Sequence, residues 1–512
     1  MAERAQVPGE DDGCPQKVVA MGSDLDPAPQ AEQSPGLHPP AKSVRTRKEH
    51  SFALLCRQPL TLNIGRFETT RRTKSRDREA VFPGRRGSHR TRDESVPDIV
   101  SVMVLVRIPP VVAFVALSWV SMGAARAPGA SQAANQAPET TDAGLIVREL
   151  CGKNVALLGE SPLHGFGKTL QFKVGLVRQL IDECHYNALF MESGIYDFLN
   201  IQKKSKSGQD VTESMIAAAI GGLWAAREVQ PLIPFLRERA RTGNLTIGGL
   251  DDQLGRGTYA QREMSSDLVE YLPGEEKARC LAILQKHALW QYSADAPYSP
   301  NDKALILGCL DGIETRLSQV QVSEAPWREY DRAMIESLKR SLARDFRQDP
   351  KGADERILDE NDRNRSMYLN FRWLLSRLPG HSKVIVWAAT THLAKDLSGV
   401  GGDESVVPFG SYIRRDFKRR AFALGFSAYS GSYAMAGQPV RQLSVAPGAS
   451  LEHKAFAAHD SDTVYLSLRE LRKFGSIAAR PLGSSFKTAR WNEVLDGLLI
   501  FREEQAPEFP RR

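Results

Sequence analysis

Carboxylates and imidazoles recur at the ends of four apolar runs of this sequence. Glu160 and His164 follow the first run, Glu192 ends the second, Asp251 follows the third and His392 the fourth. Neighbouring carboxylates shift each other's pKa values, and a neutral imidazole accepts protons near pH 7, so this set suits general acid–base chemistry. A single divalent metal ion held by the same side chains is the alternative.

The stretch LLGESPLHGFGKT (157–169) also ends like a phosphate-binding loop. Its Gly-Lys-Thr at 167–169 matches the end of Gly-x-x-x-x-Gly-Lys-Ser/Thr, but Pro162 stands at the first glycine position. Proline lacks an N–H donor and restricts φ, so we interpret 167–169 as a helix start. No Gly-x-Ser-x-Gly elbow is present, which disfavours a serine hydrolase, although Ser161 and Ser193 lie nearby in the sequence.

The elements that must position these residues alternate between strands and helices. Amphipathic helices separate the runs, and several runs lack polar alternation, as is typical of strands covered on both faces. We therefore predict an α/β fold with a mostly parallel central sheet flanked by helices, whose strand ends bring the site residues to one edge. Charged helical stretches over about 255–350 predict a large helical insertion. The predicted strands are 154–159, 187–192, 245–250, 383–388, 421–429, 463–468 and 497–502.

The basic residues of the chain are concentrated near its start. Between Ala41 and Arg92, 15 Lys and Arg stand against 4 Asp and Glu, whereas the net charge of the whole chain is only +7. We interpret residues 1–102 as a disordered basic extension, with a nucleic-acid-binding arm as the alternative. The rest of the chain is slightly acidic, so no nucleic-acid partner is expected for the folded part.

Residues 103–127 have the three parts of a secretory signal peptide. Arg107 supplies the positive charge, 108–120 is an apolar core of 13 residues, and Ala-Arg-Ala at 125–127 is the cleavage site. The core is short for a membrane span, so we expect a periplasmic or secreted protein without a stable span after cleavage. A cytosolic tail before a membrane anchor is the alternative. The predicted order is the extension upstream of a true start at Met103, the signal peptide (103–127), a linker (128–142) and an α/β hydrolase-type catalytic domain (143–512).

Four cysteines lie in the mature chain that this start predicts. They are Cys151, Cys184, Cys280 and Cys309. An oxidising compartment allows up to two disulfides, and the pair that flanks a helical stretch, Cys280 and Cys309, is favoured. No Cys-x-x-Cys is present, which disfavours a thiolate zinc site.

Seven motifs in order resemble the erythromycin esterase family, over most of residues 143–510. LLGESPLHG resembles the family's Gly-Glu-x-x-His-Gly, LFMES its Ala-Leu-Glu-Ala, and GLWAAREVQPLIPFLRE its Trp-x-x-x-Glu helix. IGGLDDQ is similar to Gly-Phe-Asp-x-Gln, and DRNRSMYLNFRWLL to Arg-Asp-x-x-Met-Ala-x-Asn-x-x-Trp-Leu. VIVWAATTHLAK resembles Val-Val-Trp-Ala-His-Asn-x-His-Ile-Ala, and FGSYIRR with ALGFSAYSGSY resembles the family's late Gly-Ser-x-Leu and Gly-Phe segments.

The resemblance implies a hydrolase of a small-molecule ester or lactone, in named members a macrolide lactone, and hence antibiotic inactivation. It makes His164 the base that takes a proton from water, Glu160 and Glu192 the groups that orient the water or the imidazole, and His392 the group that steadies the oxyanion. No covalent intermediate, metal or cofactor is implied. The implied substrate-binding residues are Lys173, Trp224, Glu228, Asp251 and Arg363.

The chain departs from the family pattern at four points. One extra residue, Pro162 or Leu163, separates Glu160 from His164, and Ala389 stands where the family has the first histidine of His-x-x-His. Asn364 replaces an aspartate and Lys173 an arginine. Two other functions therefore stay open beside the ester hydrolase: a metal-dependent hydrolase on the same residues, and a non-catalytic ligand-binding relative.

Overall fold

The computed structural model describes residues 141–510, except 294, 322, 324, 325 and 348–351. The predicted extension (1–102), the signal peptide (103–127) and nearly all of the linker (128–142) lie outside the described residues.

All seven predicted strands form, and three short strands join them near the carboxyl end of the chain. Each central strand is apolar along its length because both of its faces are covered: Val155 and Leu157 of the first strand pack into one core, and Ala156 and Leu158 into the other. The strands are β1 (Val155–Leu158), β2 (Ala188–Gly194), β3 (Thr246–Asp251), β4 (Val384–Trp387), β5 (Ala421–Tyr433), β6 (Arg441–Leu443), β7 (Thr463–Ser467), β8 (Ser476–Ala479), β9 (Lys487–Arg490) and β10 (Gly497–Glu504).

Eight strands form one mostly parallel sheet in the order β3-β2-β4-β1-β5-β10-β7, with β6 paired to β5. Only the β10–β7 and β5–β6 pairs of this sheet are antiparallel, and β8 pairs with β9 in a separate sheet. The registers align the ends of the central strands, since Leu158 and Met191 both lie opposite Trp387. The predicted α/β class with a mainly parallel sheet is confirmed.

Helices cover both faces of the sheet, and every element described between β3 and β4 is helical. α2 begins at Gly167, as its Gly-Lys-Thr start predicts. The helices are α1 (Asp142–Cys151), α2 (Gly167–Asp182), α3 (Ile195–Lys206), α4 (Glu213–Ile220), α5 (Leu232–Arg241), α6 (Tyr259–Arg262), α7 (Met264–Leu268), α8 (Gly274–Ala288), α9 (Pro300–Gln319), α10 (Arg328–Asp345), α11 (Ala353–Ser376), α12 (Thr390–Leu393), α13 (Phe409–Phe417), α14 (Leu451–Ala457), α15 (Leu468–Phe474) and α16 (Trp491–Val494).

Two disulfides tie helices together. The favoured pair, Cys280 with Cys309, is confirmed and joins α8 to α9. Cys151 pairs with Cys184, which joins the end of α1 to the segment after α2. Among the described helices, none combines the length and the apolar character that a bilayer crossing requires.

Candidate active site

A tight turn after β1 accommodates the extra residue between Glu160 and His164. The backbone N–H of His164 donates to the Ser161 carbonyl at 2.9 Å, and that of Leu163 donates to the Ser161 hydroxyl at 3.3 Å. His164 closes the turn in the left-handed region, at φ 49°, which histidine tolerates better than most residues with a side chain. The turn directs the imidazole back toward the carboxylate that the insertion could have separated from it.

Glu160 is the centre of the first group of site residues, the Glu160 cluster (Glu160, His164, Lys173 and Trp224). Its Oε1 lies 2.8 Å from His164 Nδ1 and accepts the Trp224 indole N–H at 2.6 Å. Its Oε2 accepts from Lys173 Nζ at 2.9 Å. Glu160, Lys173 and Trp224 are 1%, 0% and 2% exposed, and His164 is 7% exposed, so all four side chains are buried. The cluster thus surrounds one carboxylate with three buried donors.

Burial and pairing set the charges of this cluster. Burial alone would raise the pKa of Glu160, but Lys173 and His164 lower it below its usual value. Burial lowers the pKa of Lys173 to about 8, against the opposing effect of Glu160. The ammonium also lies 4.2 Å from the Trp387 ring centroid, a cation–π contact. Near pH 7 Lys173 and Glu160 therefore form an ion pair, and His164 contacts its carboxylate.

Arg363 is the centre of a second group, the Arg363 cluster (Glu192, Asp251, Arg363 and His392). Its Nη2 donates to Asp251 Oδ2 at 2.6 Å and to Glu192 Oε1 at 3.0 Å. Its Nη1 lies 3.1 Å from His392 Nε2, which also lies 3.0 Å from Glu192 Oε1. Carboxylates at the ends of β2 and β3 are therefore joined by a guanidinium from α11.

Both ring nitrogens of His392 are engaged. Nδ1 lies 2.7 Å from Asn364 Oδ1 and 3.2 Å from Glu360 Oε1, and Nε2 faces Glu192. Burial would lower the pKa of His392, but Glu192 raises it overall. Burial would likewise raise the pKa of Glu192, yet His392 holds it well below its usual range. The contact with Glu192 therefore favours the protonated form of His392.

The loop after β4 joins the two clusters. The N–H of Ala389 donates to Glu192 Oε2 at 2.7 Å, and the N–H of Thr390 donates to the Glu160 carbonyl at 2.7 Å. Glu192 also acts on the Glu160 cluster, because its charge opposes the lowering of the Lys173 pKa. Four strand ends thus converge on one site, as the positions of the residues in the sequence indicate.

Glu228 lies apart from this convergence. Its carboxylate accepts the backbone N–H of Glu508 at 3.1 and 3.2 Å, and no contact joins it to either cluster within the described residues. The predicted substrate-binding residues Lys173, Trp224, Asp251 and Arg363 instead lie inside the two clusters.

Three contacts of the site were not predicted, although Asn364 and Ala389 stand where the chain departs from the family pattern. Glu360 and Asn364 contact His392 from α11, and they share a helical face with Arg363 because residues three and four apart are neighbours on a helix. That spacing is the signal that could have identified them. The backbone N–H of Ala389, which binds Glu192, leaves no signal in its residue type.

The two nearby serines have other partners than histidine. Ser193 Oγ donates to the Ile220 carbonyl at 2.8 Å, and Ser161 Oγ accepts from Leu163. Neither has the imidazole partner that activates a serine nucleophile.

The carboxylates of the site are neutralised by side chains. Arg363 lies between Glu192 and Asp251, and Lys173 pairs with Glu160. Over the part of the chain that the structure describes, no three or more His, Cys, Asp or Glu side chains are arranged to hold a metal ion.

Comparison with known sequences identifies a family. A sequence model described as erythromycin esterase matches residues 181–503, more than half of the chain. The curated protein named "Putative hydrolase YbfO", from Bacillus subtilis (strain 168), is 22% identical over 325 residues, which cover 59% of this chain and 70% of that protein.

Three solved structures share the fold. A Bacillus cereus protein superposes with a TM-score of 0.55 at 14% identity, covering 73% of this chain and 95% of its own. A succinoglycan biosynthesis protein gives 0.56 at 12% identity, with coverages of 73% and 94%. A mutant of the erythromycin esterase EreC in its open conformation gives 0.50 at 16% identity, with coverages of 72% and 94%. At these identities the likeness concerns the fold alone.

Proposed function

The chain belongs to the erythromycin esterase family, and from this premise we propose that it is a hydrolase that cleaves a carboxylic ester or lactone with a water molecule activated by His164. The relative named as a hydrolase supports the general class. The contact of 2.8 Å between Glu160 Oε1 and His164 Nδ1 carries the proposed mechanism.

This contact determines which ring nitrogen is free for chemistry. Glu160 is ionised and accepts the Nδ1 proton, so the lone pair of neutral His164 lies on Nε2. Within the described residues Nε2 has no hydrogen-bond partner, while Nδ1 is held by the carboxylate. A fixed imidazole with one free basic nitrogen is what a general base requires.

The proposed reaction needs no covalent intermediate. Water attacks the acyl carbon as its proton passes to His164 Nε2, and Glu160 stabilises the imidazolium that forms. The tetrahedral intermediate then collapses, the C–O bond breaks, and the proton returns from Nε2 to the leaving alkoxide. The products are a carboxylic acid and an alcohol, or one hydroxy acid from a lactone.

The Arg363 cluster fits a supporting role in this reaction. His392 would steady an oxyanion only by releasing Glu192, because both of its nitrogens are engaged. We therefore assign it first to holding the Glu192 carboxylate in place. Ala389 provides no imidazole at the neighbouring position, so fewer donors face the developing charge than in the family pattern.

A substrate screen with purified protein tests the proposal. It covers simple carboxylic esters, lactones and macrolide antibiotics, whose inactivation is the finer proposal for the biological role. Hydrolysis of any of these that disappears in His164→Ala supports the mechanism. Full turnover by His164→Ala removes His164 as the base.

The same screen separates the two alternatives. Activity that is lost with a strong chelator and restored by a divalent ion would indicate the metal-dependent hydrolase. Binding of an ester or lactone without turnover would indicate the non-catalytic relative. Arg363 and Lys173 already neutralise the carboxylates of the site, which disfavours cation binding. His164 still contacts Glu160, which disfavours the non-catalytic alternative.

We also propose that the protein is periplasmic or secreted. Two disulfides within the catalytic domain support an oxidising compartment. The predicted signal peptide at 103–127 would direct the export, and fractionation of cells that express the full chain tests it.

A further inference from the structure

The Gly-Lys-Thr start of α2 has a partner at the other end of the chain. Glu504 Oε1 accepts the backbone N–H groups of Lys168 at 2.6 Å and of Thr169 at 3.3 Å. Glu504 Oε2 accepts the Thr169 hydroxyl at 2.9 Å. A protein carboxylate therefore occupies the position that an anion takes at a helix N-terminus.

Glu504 is fixed in this position without a cation. It is 1% exposed, and no Lys, Arg or His of the described residues forms an ion pair with it. Burial raises its pKa to about 7, although the donors of α2 oppose the shift. Its backbone pairs with Gly431 of β5, where a Cβ atom would lie 2.0 Å from the Glu504 carbonyl oxygen. Burying a carboxylate without a cationic partner costs free energy, so its retention here points to a specific structural role.

The residues after Glu504 bind two loops, the one that precedes α2 and the one that precedes α5. The N–H of Gly167 donates to the Gln505 carbonyl at 2.7 Å. The N–H of Arg227 donates to the Glu508 carbonyl at 2.7 Å, and Glu228 accepts from the Glu508 N–H. The first loop carries His164, and the second carries Trp224. Both side chains bind Glu160.

We propose that residues 504–508 form a clasp that positions the active site, with Glu504 as the positioning residue that holds the His164 turn and the start of α2. Lys173 lies on the same helix and is set by the same contact. In this arrangement Glu228 is a part of the clasp rather than a substrate ligand. The proposal deepens the proposed hydrolase and rests on it for its effect on turnover.

Small displacements at this position are sufficient to affect catalysis. His164 is three residues before Gly167, and its Nδ1 lies 2.8 Å from Glu160 Oε1. A misplacement of about 1 Å can cost on the order of 100-fold in rate. Loss of the clasp therefore lowers turnover more than substrate affinity.

The test compares Glu504→Gln with Glu503→Gln. Glutamine keeps the size of the side chain but removes the charge and one acceptor. Glu503 is the exposed neighbour on the same strand and serves as the matched control. On an ester from the screen, we expect kcat of Glu504→Gln to fall at least about 10-fold with KM changed less than about 3-fold, and Glu503→Gln to match the wild type.

A readout at the imidazole distinguishes positioning from general stability. In protein labelled with 15N-histidine, the downfield Nδ1–H resonance of His164 is identified by its loss in His164→Ala. We expect Glu504→Gln to shift or broaden it at a temperature well below unfolding. An unchanged resonance overturns the proposal, whether or not kcat falls.

A second variant covers the case in which Glu504→Gln does not fold. Thr169→Val removes the hydroxyl that donates to Oε2 and keeps the side-chain volume, and the same shift of the His164 resonance is expected. Thr169→Val is decisive only where Glu504→Gln does not fold. If the screen finds no hydrolysis but the resonance shifts in the decisive variant, the clasp stands and the hydrolase proposal fails. If hydrolysis is found and the resonance is unchanged in that variant, the clasp fails alone.

Discussion

At the scale of single residues, the two histidines of the site differ in what their nitrogens contact. His164 has one nitrogen bound to Glu160 and one free, whereas His392 is bound at both. A proton acceptor needs a free lone pair, so only His164 suits the role of base. The inserted residue does not break the pair, because the left-handed conformation of His164 closes the turn.

Replacing the proposed base should remove activity without unfolding the protein. We expect His164→Ala to lower kcat by about 100- to 10,000-fold, the usual contribution of a general base. Steady-state kinetics on a substrate from the screen measures it. His459→Ala, at an exposed histidine, is the control and should keep wild-type kinetics.

Lys173 should give the proposed hydrolase an alkaline limit of activity. Its pKa is lowered to about 8 by burial, so Glu160 loses its cationic partner as the pH rises through that value. Lys173→Arg keeps the charge, since arginine stays protonated, and should move the alkaline limb of kcat/KM upward by about one pH unit or more. Lys168→Arg, on the same helix, should leave the profile unchanged. If the alkaline limb of kcat/KM lies at the same pH in the wild type, Lys173→Arg and Lys168→Arg, Lys173 does not set this limit.

At the scale of elements, α11 contributes most of the second cluster. Glu360, Arg363 and Asn364 lie on one face of this helix and meet the ends of β2, β3 and β4. A helix from the edge of the insertion therefore supplies the charge that allows Glu192 and Asp251 to lie side by side.

Removing that charge should destabilise the fold. Arg363 has a side chain 18% exposed and bonds two carboxylates, so Arg363→Met leaves Asp251 buried without its cationic partner and Glu192 with His392 alone, at a cost of about 3–5 kcal/mol. Urea unfolding at pH 7 measures the change. Arg365→Met, at an exposed arginine of the same helix, should cost far less. Similar losses in the two variants would mean that Arg363 does not compensate the carboxylates.

The α8–α9 disulfide should hold the insertion together. Cys280 and Cys309 are 29 residues apart, and closing a loop of this size contributes about 3 kcal/mol or more. The double variant Cys280→Ser/Cys309→Ser should unfold at lower denaturant concentration and be cleaved faster by proteases within 274–319. Unchanged unfolding and proteolysis would contradict this.

At the scale of the whole molecule, the disulfides and the predicted signal peptide point to the same compartment. We expect a chain started at Met103 to be exported and to begin at Pro128 after cleavage. Amino-terminal sequencing of the exported protein measures this directly. A mature terminus far from Pro128 would contradict the predicted cleavage site.

Much of the fold could be predicted because its signals are local. The seven predicted strands are apolar runs, and α2 shows its helical period through Leu170, Val174 and Val177. The short strands β6, β8 and β9 escaped prediction, since runs of three or four residues with mixed polarity carry little signal. The position of the site at the carboxyl edge of the sheet could be predicted because ligands bind at the carboxyl ends of parallel strands.

The sequence by itself determined the types of the site residues, the edge at which they gather and the favoured disulfide. Tertiary structure alone decided which side chain pairs with which. Arg363 meets Asp251 across 112 positions, and Glu504 meets Thr169 across 335. Such pairs depend on the order of the strands in the sheet, which the pattern of apolar residues along the chain does not encode. For the same reason Glu228 lies with the carboxyl-terminal segment, while His164 keeps its carboxylate.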